Sequence, residues 1–252
     1  VIVALLACSH APELPAPVLG PFDHDYTAWN AALSANVSDG RVDYPGIAPT
    51  LDGVLAALAT PSAADVASWT HDQQLAYWIN SYNAWTLRVV LDHPGISSIK
   101  DIGVVPYAAF RAPVAHLRAR DAVLSLDDIE KRELLGGLCA DEPCGPLVHM
   151  AVSCASLSCP ALQPRAWRAS DLNATFEAAA RGFLADPQKN RRNGDTLRLS
   201  RIFDWYAADF VRAEGSVDAW IARYGPPELA GAPTVEFLDY DWSLNAQGPP
   251  SR

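Results

Sequence analysis

The run Leu75-Ala-Tyr-Trp78-Ile-Asn80-Ser-Tyr82-Asn83-Ala-Trp85-Thr-Leu87-Arg-Val-Val90 decides the fold. It holds no glycine or proline, and with its flanks it reads as one helix from His71 to Asp92, stopped by His93-Pro94-Gly95. Apolar side chains surround this helix on nearly every side, whereas a surface helix carries one apolar stripe. It is therefore a central element that the rest of the chain must enclose. Polar groups have only small windows on it, and Asn80 and Asn83, three apart, share a face.

Toward the N-terminus, Tyr26, Trp29, Leu33 and Val37 recur at helical spacing, and Ser38-Asp39-Gly40 ends that segment. Arg41 to Tyr44 reads as extended, Leu51 to Leu58 as a helix and Asp65 to Trp69 as a brief one. On the other side, Val104-Val105, Phe110 to Val114 and Val123 to Leu126 read as short strands. Asp127-Asp128 is placed to cap a helix through Leu135 that Gly136-Gly137 closes. Leu147 to Ser153 is the best strand candidate; Asp171 to Ala185 and Ser200 to Ala213 read as amphipathic helices flanking a hairpin with Asn193-Gly194 at its turn. Thr234 to Asn245 is extended and aromatic. The fold class is α+β: one domain over 22–245, with the central buried helix packed on a small, mostly antiparallel sheet.

With 252 residues, 50% of them hydrophobic, the chain can bury a sizeable core. A net charge of −10, with no run of Lys or Arg longer than two, argues against a nucleic-acid partner. Val1 to Cys8 resembles the end of a signal peptide, and Leu5-Leu6-Ala7-Cys8 a bacterial lipobox in which Cys8 would be lipidated. Ser9 after it fits outer-membrane delivery. Residues 9–21 carry four prolines and read as a tether, and 246–252 as a tail. The expected location is the periplasmic side of the cell envelope, with membrane contact only through a lipid on Cys8.

The other cysteines form two Cys-x4-Cys pairs, Cys139 with Cys144 and Cys154 with Cys159. For the first, in a loop with no catalytic partner nearby, a structural disulfide is favoured over a four-cysteine zinc site. The second lies in His149-Met-Ala-Val-Ser-Cys154-Ala-Ser-Leu-Ser-Cys159-Pro160, the one chemically suggestive cluster. A cysteine nucleophile needs a thiolate, a histidine and a group to orient that histidine. His149, Cys154 or Cys159, and Glu130, Asn80 or Asn83 supply these types, with loop N–H groups as oxyanion donors. Geometry limits the pairing. An unbroken strand would put His149 and Cys154 on opposite faces, roughly 16 Å apart at about 3.3 Å per residue, so the chain must fold back after Ser153. The simpler alternatives are a Cys154–Cys159 disulfide and a buried, satisfied His149. Asn80, Asn83, Trp78 and Tyr82 are candidate binding residues, or else backbone anchors and core. Asp127, Asp128 and Glu130 offer calcium-type oxygens without a loop of recognised spacing.

Five segments in order resemble the domain of unknown function 547 family: Leu75 to Ala84, Leu126 to Glu130, His149 to Pro160, Leu199 to Tyr206 with Asp209-Phe210, and Asp239 to Asn245. Glu130, His149, Cys154, Cys159 and Pro160 match the family pattern. Where that pattern continues Leu-Asp-Asp-Ile-Glu with His and then Leu-Arg, this chain has Lys131 and Leu134-Leu135, which removes one histidine from any proposed site. By analogy, the resemblance implies a papain- or transglutaminase-like cysteine site, with the histidine on a sheet against the central helix.

Together these readings point to a cell-envelope cysteine-dependent hydrolase or acyltransferase acting on a peptide or amide bond. Cys154 is the nucleophile, His149 the base, Glu130 the orienting acid and Cys159 the reserve nucleophile. A non-catalytic envelope binding or scaffold domain with a Cys154–Cys159 disulfide is the alternative. No cofactor or metal is called for, and the expected partner is a peptide or other envelope component.

Overall fold

The structure, a computed structural model, describes residues 20–231 and 234–248. Cys8, the apolar segment 1–8, the tether apart from Gly20 and Pro21, and tail residues 249–252 lie outside the described residues. Helix α1 (Thr27–Asn36) buries Trp29, Ala32 and Leu33. Asp39 and Gly40, with φ of 49° and 73°, then turn the chain between the antiparallel strands β1 (Val37–Ser38) and β2 (Arg41–Val42). Helix α2 (Tyr44–Ala59) starts before Leu51, because Asp43 accepts the Gly46 N–H at 3.0 Å and Pro45 suits a first turn.

Reciprocal capping boxes, Ser62 with Asp65 and Thr70 with Gln73, open α3 (Ala63–Ser68) and α4 (His71–Leu91). Every residue of α4 from Leu75 to Leu87 is buried, as its all-round apolar pattern requires. Its main neighbours are helical: α2 on one side and the π-helix Asp128–Leu138 on another. The expected sheet beneath the central helix is therefore replaced by helices.

Between Ile99 and Leu126 the three expected strands reduce to one hairpin. Val104 and Val105 lie exposed, Phe110 sits on the single-turn helix α5 (Ala108–Arg111), and only β3 (Ala115–Leu117) and β4 (Ala122–Leu124) pair. Pro106 and Pro113 lack the N–H that a ladder needs. The π-helix is capped by Ser125 and Asp128 in exchange, with Ser125 N–H to Asp128 at 2.9 Å and Asp128 N–H to Ser125 Oγ at 3.0 Å. Gly136 and Gly137 lie inside it and do not end it; a Cβ on Gly136 would sit 2.8 Å from the Lys131 carbonyl oxygen.

After the Cys139–Cys144 disulfide comes helix α6 (Gly145–Ala151), where a strand was expected. The apolar run from Leu147 has a structural reason that periodicity hides. Val148 and Ala151 face the core around α4, while Met150 faces a second core built from Phe183, Phe203, Phe210, Trp220 and Ile221. A short helix between two cores is apolar on several sides and mimics a buried strand. With Pro146 in its first turn, helix is the favoured choice.

The second core is enclosed by α7 (Leu172–Ala185), the hairpin β5 (Arg191–Asn193) and β6 (Thr196–Leu199), and helices α8 (Ile202–Trp205), α9 (Ala207–Glu214) and α10 (Val217–Tyr224). The helix expected over Ser200–Ala213 breaks at Tyr206. Strand β7 (Thr234–Phe237) runs parallel to β6 and completes a sheet of order β5-β6-β7. The result is a mixed α+β fold with small, mostly antiparallel sheets.

Candidate active site

Helix α6 ends at Ala151, and the chain folds back at once. Asn83 on α4 fixes this point, donating to the Ala151 carbonyl at 3.0 Å and accepting the Ser153 N–H at 2.8 Å. Ala155, buried, takes a left-handed φ of 61°, which costs an L-residue about 1–2 kcal/mol. The C-terminal segment offsets that cost by lacing the loop: Asn245 N–H to Ala155 O at 3.0 Å, Leu157 N–H to Ser243 O at 2.9 Å and Ser158 N–H to Asp241 O at 3.1 Å.

Cys154 and Cys159 are both free thiols, Cys154 partly exposed and Cys159 buried. The Cys154 N–H donates to Cys159 Sγ at 2.8 Å. Cys154 Sγ, Ser156 Oγ and Tyr240 Oη form a triangle with edges of 3.1, 3.4 and 3.4 Å. Burial pushes the Cys154 thiol up, but hydrogen bonds from Cys159, from the Ser156 hydroxyl and backbone and from Tyr240 outweigh it, so its pKa falls below the usual thiol range. Burial and the adjacent Cys154 push Cys159 well above that range. The environment therefore favours the thiolate form at Cys154 over Cys159.

His149, on α6, donates from Nε2 to Asp209 Oδ2 at 2.8 Å. Its ring stacks on Tyr206, with centroids 3.9 Å apart, and the Tyr206 hydroxyl donates to Glu130 at 3.4 Å. Glu130 Oε1 lies 3.9 Å from His149 Nδ1, which is buried and has no hydrogen-bond partner among the described residues. The two carboxyls are driven apart. The hydrogen bond from His149 holds Asp209 below the usual carboxylate range, while burial raises Glu130 despite the opposing His149 and Lys131. Asp209 orients the imidazole as an anion, and Glu130 is biased toward the neutral acid.

Cys154, Cys159, His149, Glu130, Tyr206 and Tyr240 line one cavity of about 390 Å³. Val152, Pro160 and Ile202 add apolar wall, and Tyr107, Trp205, Tyr240 and Trp242 form an aromatic chain with successive centroids 4.6 to 5.7 Å apart. Arg111 and Lys131 flank Asp127 at 4.0 and 2.8 Å. Lys131 lines the cavity with its ammonium held by Asp127.

The structure brings Cys154, Cys159, His149 and Glu130 together in this cavity, and among the described residues no hydrogen bond joins His149 to either thiol. Of the candidate binding residues, Tyr82 lines the cavity. Trp78 is buried core, and Asn80 anchors backbone, bonding Trp167 N–H and C=O at 3.0 and 2.8 Å and Trp29 Nε1 at 3.2 Å. The loop's N–H groups are largely engaged: those of Ser153, Cys154, Leu157 and Ser158 by the partners above, and that of Cys159 by Ser156 O at 3.2 Å. Cys139 and Cys144 are bonded to each other and cannot ligate zinc. Asp127 and Asp128 pair with cations, and among the described residues no group of three or more His, Cys, Asp or Glu forms a metal cage. Asp209, Tyr206 and Tyr240 lie in segments that carry the family resemblance, but none of them was a candidate site residue. The available signal was that Tyr206 and Asp209 fall three apart in one polar-aromatic stretch, which places both on one helical face.

Residues 66–184 match the model of a family described as protein of unknown function, DUF547. The match spans Glu130, His149, Cys154 and Cys159, whereas Tyr206, Asp209 and Tyr240 lie beyond it. No curated protein and no solved structure matches the chain.

Proposed function

We propose, for a chain that belongs to the DUF547 family of proteins of unknown function, a thiol-dependent acyl-transfer activity: a cell-envelope hydrolase or acyltransferase acting on peptide or amide bonds. The observation that carries it is the Cys154 thiol, unbonded and lowered in pKa, opening into a cavity that is also lined by His149, whose Nε2 is held by Asp209. Activation of the nucleophile does not run through the histidine. Ser156, Tyr240 and Cys159 hold the thiolate directly, unlike a papain-type pair.

When Cys154 attacks a carbonyl carbon, negative charge leaves sulfur for the carbonyl oxygen. The hydroxyls of Ser156 and Tyr240, already beside the sulfur, take the place of the engaged backbone donors. Departure of an amine needs a proton. The imidazole, with its Nε2–H fixed on Asp209, is the acid–base group for that step: Glu130, held toward the neutral acid 3.9 Å from Nδ1, gives its proton to Nδ1, which passes it to the departing amine. Water or a second acceptor then attacks the thioester. The envelope location rests on the Cys139–Cys144 disulfide, which persists in oxidising compartments, and on the lipobox-like Leu5 to Cys8.

The test is trapping of the acyl-enzyme. Full-length protein mixed with an activated acyl ester should show a burst of leaving group and an acyl adduct on Cys154 by peptide mass mapping, both lost in Cys154→Ala. An adduct confined to lysines, or a burst that survives Cys154→Ala, contradicts the proposal.

A further inference from the structure

The same thiolate has a second partner that acyl transfer does not use. Cys159 Sγ accepts the Cys154 N–H at 2.8 Å, which sets the Cys159 sulfur against the residue that bears the other thiol. The loop between them has the Cys-x4-Cys spacing that elsewhere in this chain closes as the Cys139–Cys144 disulfide, with Cα atoms 5.2 Å apart. Cys159 is buried, 5% exposed, and bonds weakly to the Val152 carbonyl at 3.8 Å, whereas Cys154 is partly exposed, so Cys154 is the more accessible of the two sulfurs that line the cavity.

We infer that Cys154 and Cys159 form a dithiol–disulfide exchange centre, in which Cys154 attacks a disulfide of a low-molecular-weight thiol or of an exposed peptide and Cys159 resolves the mixed disulfide. The inference rests on Cys154 being the nucleophile and changes the electrophile from acyl carbon to sulfur. In the first step the Cys154 thiolate forms a bond to one substrate sulfur, the substrate S–S bond breaks, and the other sulfur leaves as a thiolate. In the second, Cys159 loses its proton to that released thiolate and attacks Cys154 Sγ. The mixed disulfide breaks and the second substrate thiolate departs. Two electrons pass from the dithiol to the substrate disulfide, leaving a Cys154–Cys159 disulfide, and an external dithiol must return them for turnover.

Three features of the site fit sulfur as the electrophile. Exchange needs no oxyanion donor, and the N–H groups of Ser153, Cys154, Leu157, Ser158 and Cys159 are engaged. It needs no hydrogen bond between thiol and imidazole, and none is present among the described residues. It does need a low-pKa attacking thiol with a second thiol held in reserve, which is what Cys154 and Cys159 provide.

The test uses the full-length chain, reduced and desalted, with oxidised glutathione as the small disulfide and insulin as the polypeptide one. Products are mapped by peptide mass before and after alkylation. Wild type should end with a Cys154–Cys159 disulfide and no retained glutathione, and should turn over with dithiothreitol as reductant. Cys159→Ser should stop at a Cys154–glutathione mixed disulfide and lose turnover, and Cys154→Ser should give neither. Reaction with glutathione alone assigns the substrate to small thiols, and reaction with insulin as well extends it to peptides; either supports the centre. A wild-type protein that keeps glutathione on Cys154 overturns the exchange centre while leaving Cys154 a nucleophile. A Cys154 that takes up no glutathione and no alkylating agent overturns both readings.

Discussion

Ser156→Ala should raise the pKa at which Cys154 becomes reactive by about one unit. The Ser156 hydroxyl lies 3.1 Å from Cys154 Sγ, and Ser156 is buried, 3% exposed. A hydrogen bond to a charged group contributes about 1.5–3 kcal/mol. The low end applies, because the same hydroxyl also lies 3.4 Å from Tyr240 Oη and is shared. One pKa unit corresponds to about 1.4 kcal/mol. Stabilisation of the thiolate lowers the thiol pKa, so removing the donor moves the midpoint of the pH–rate profile upward. The assay is carbamidomethylation of the reduced protein across a pH series, followed at the Cys154 peptide. Tyr240→Phe, losing a longer contact of 3.4 Å, should shift the midpoint in the same direction by less. An unchanged midpoint in Ser156→Ala, with the melting temperature preserved, would refute hydroxyl stabilisation of the thiolate.

Asp209→Asn should keep the fold but lower acyl-enzyme formation, since His149 loses its anionic partner. The pKa of Asp209 is lowered in the folded protein, so its stabilisation is present above the unfolded value of about 3.9 and lost as pH falls; the variant's acid-denaturation profile should flatten there. Glu130→Gln tests the opposite sign. A raised carboxyl pKa means stability declines as pH climbs above about 4.3, so the variant should gain on wild type with rising pH, and a constant gap in urea melts would contradict a neutral Glu130. Asn83→Ala strands the Ala151 carbonyl and the Ser153 N–H and should cost about 3 kcal/mol in urea unfolding, with Cys154 alkylation slowing toward the unfolded rate; a loss below about 1 kcal/mol would show that the turn does not depend on α4.

The sequence made α4 legible because burial on all sides of one long helix leaves an unmistakable pattern, and His93-Pro94-Gly95 marked where it ends. The hairpin at Asn193-Gly194 and the Cys139–Cys144 disulfide were legible for equally local reasons. The strand expected over Leu147–Ser153 was not recovered, because α6 lies between two cores and its apolar faces answer to both. That error bears on the site. A helix ending at Ala151 with an immediate reversal supplies the fold-back that pairing His149 with the cysteine loop requires. The orienting carboxylate was expected in Glu130, next to the motif, yet the bonded partner is Asp209, 60 residues from His149. Long-range pairing of this kind leaves no spacing signal. Tyr240 reaches Cys154 from 86 residues away for the same reason.

The most direct test of the central claim, that Cys154 is an activated nucleophile and Cys159 its protonated neighbour, is the iodoacetamide alkylation rate of each cysteine in native, reduced protein near neutral pH, against a denatured control. Cys154 should react faster in the native protein than in the control, and Cys159 slower. Equal or slower native reaction at Cys154, or faster reaction at Cys159, would contradict the account.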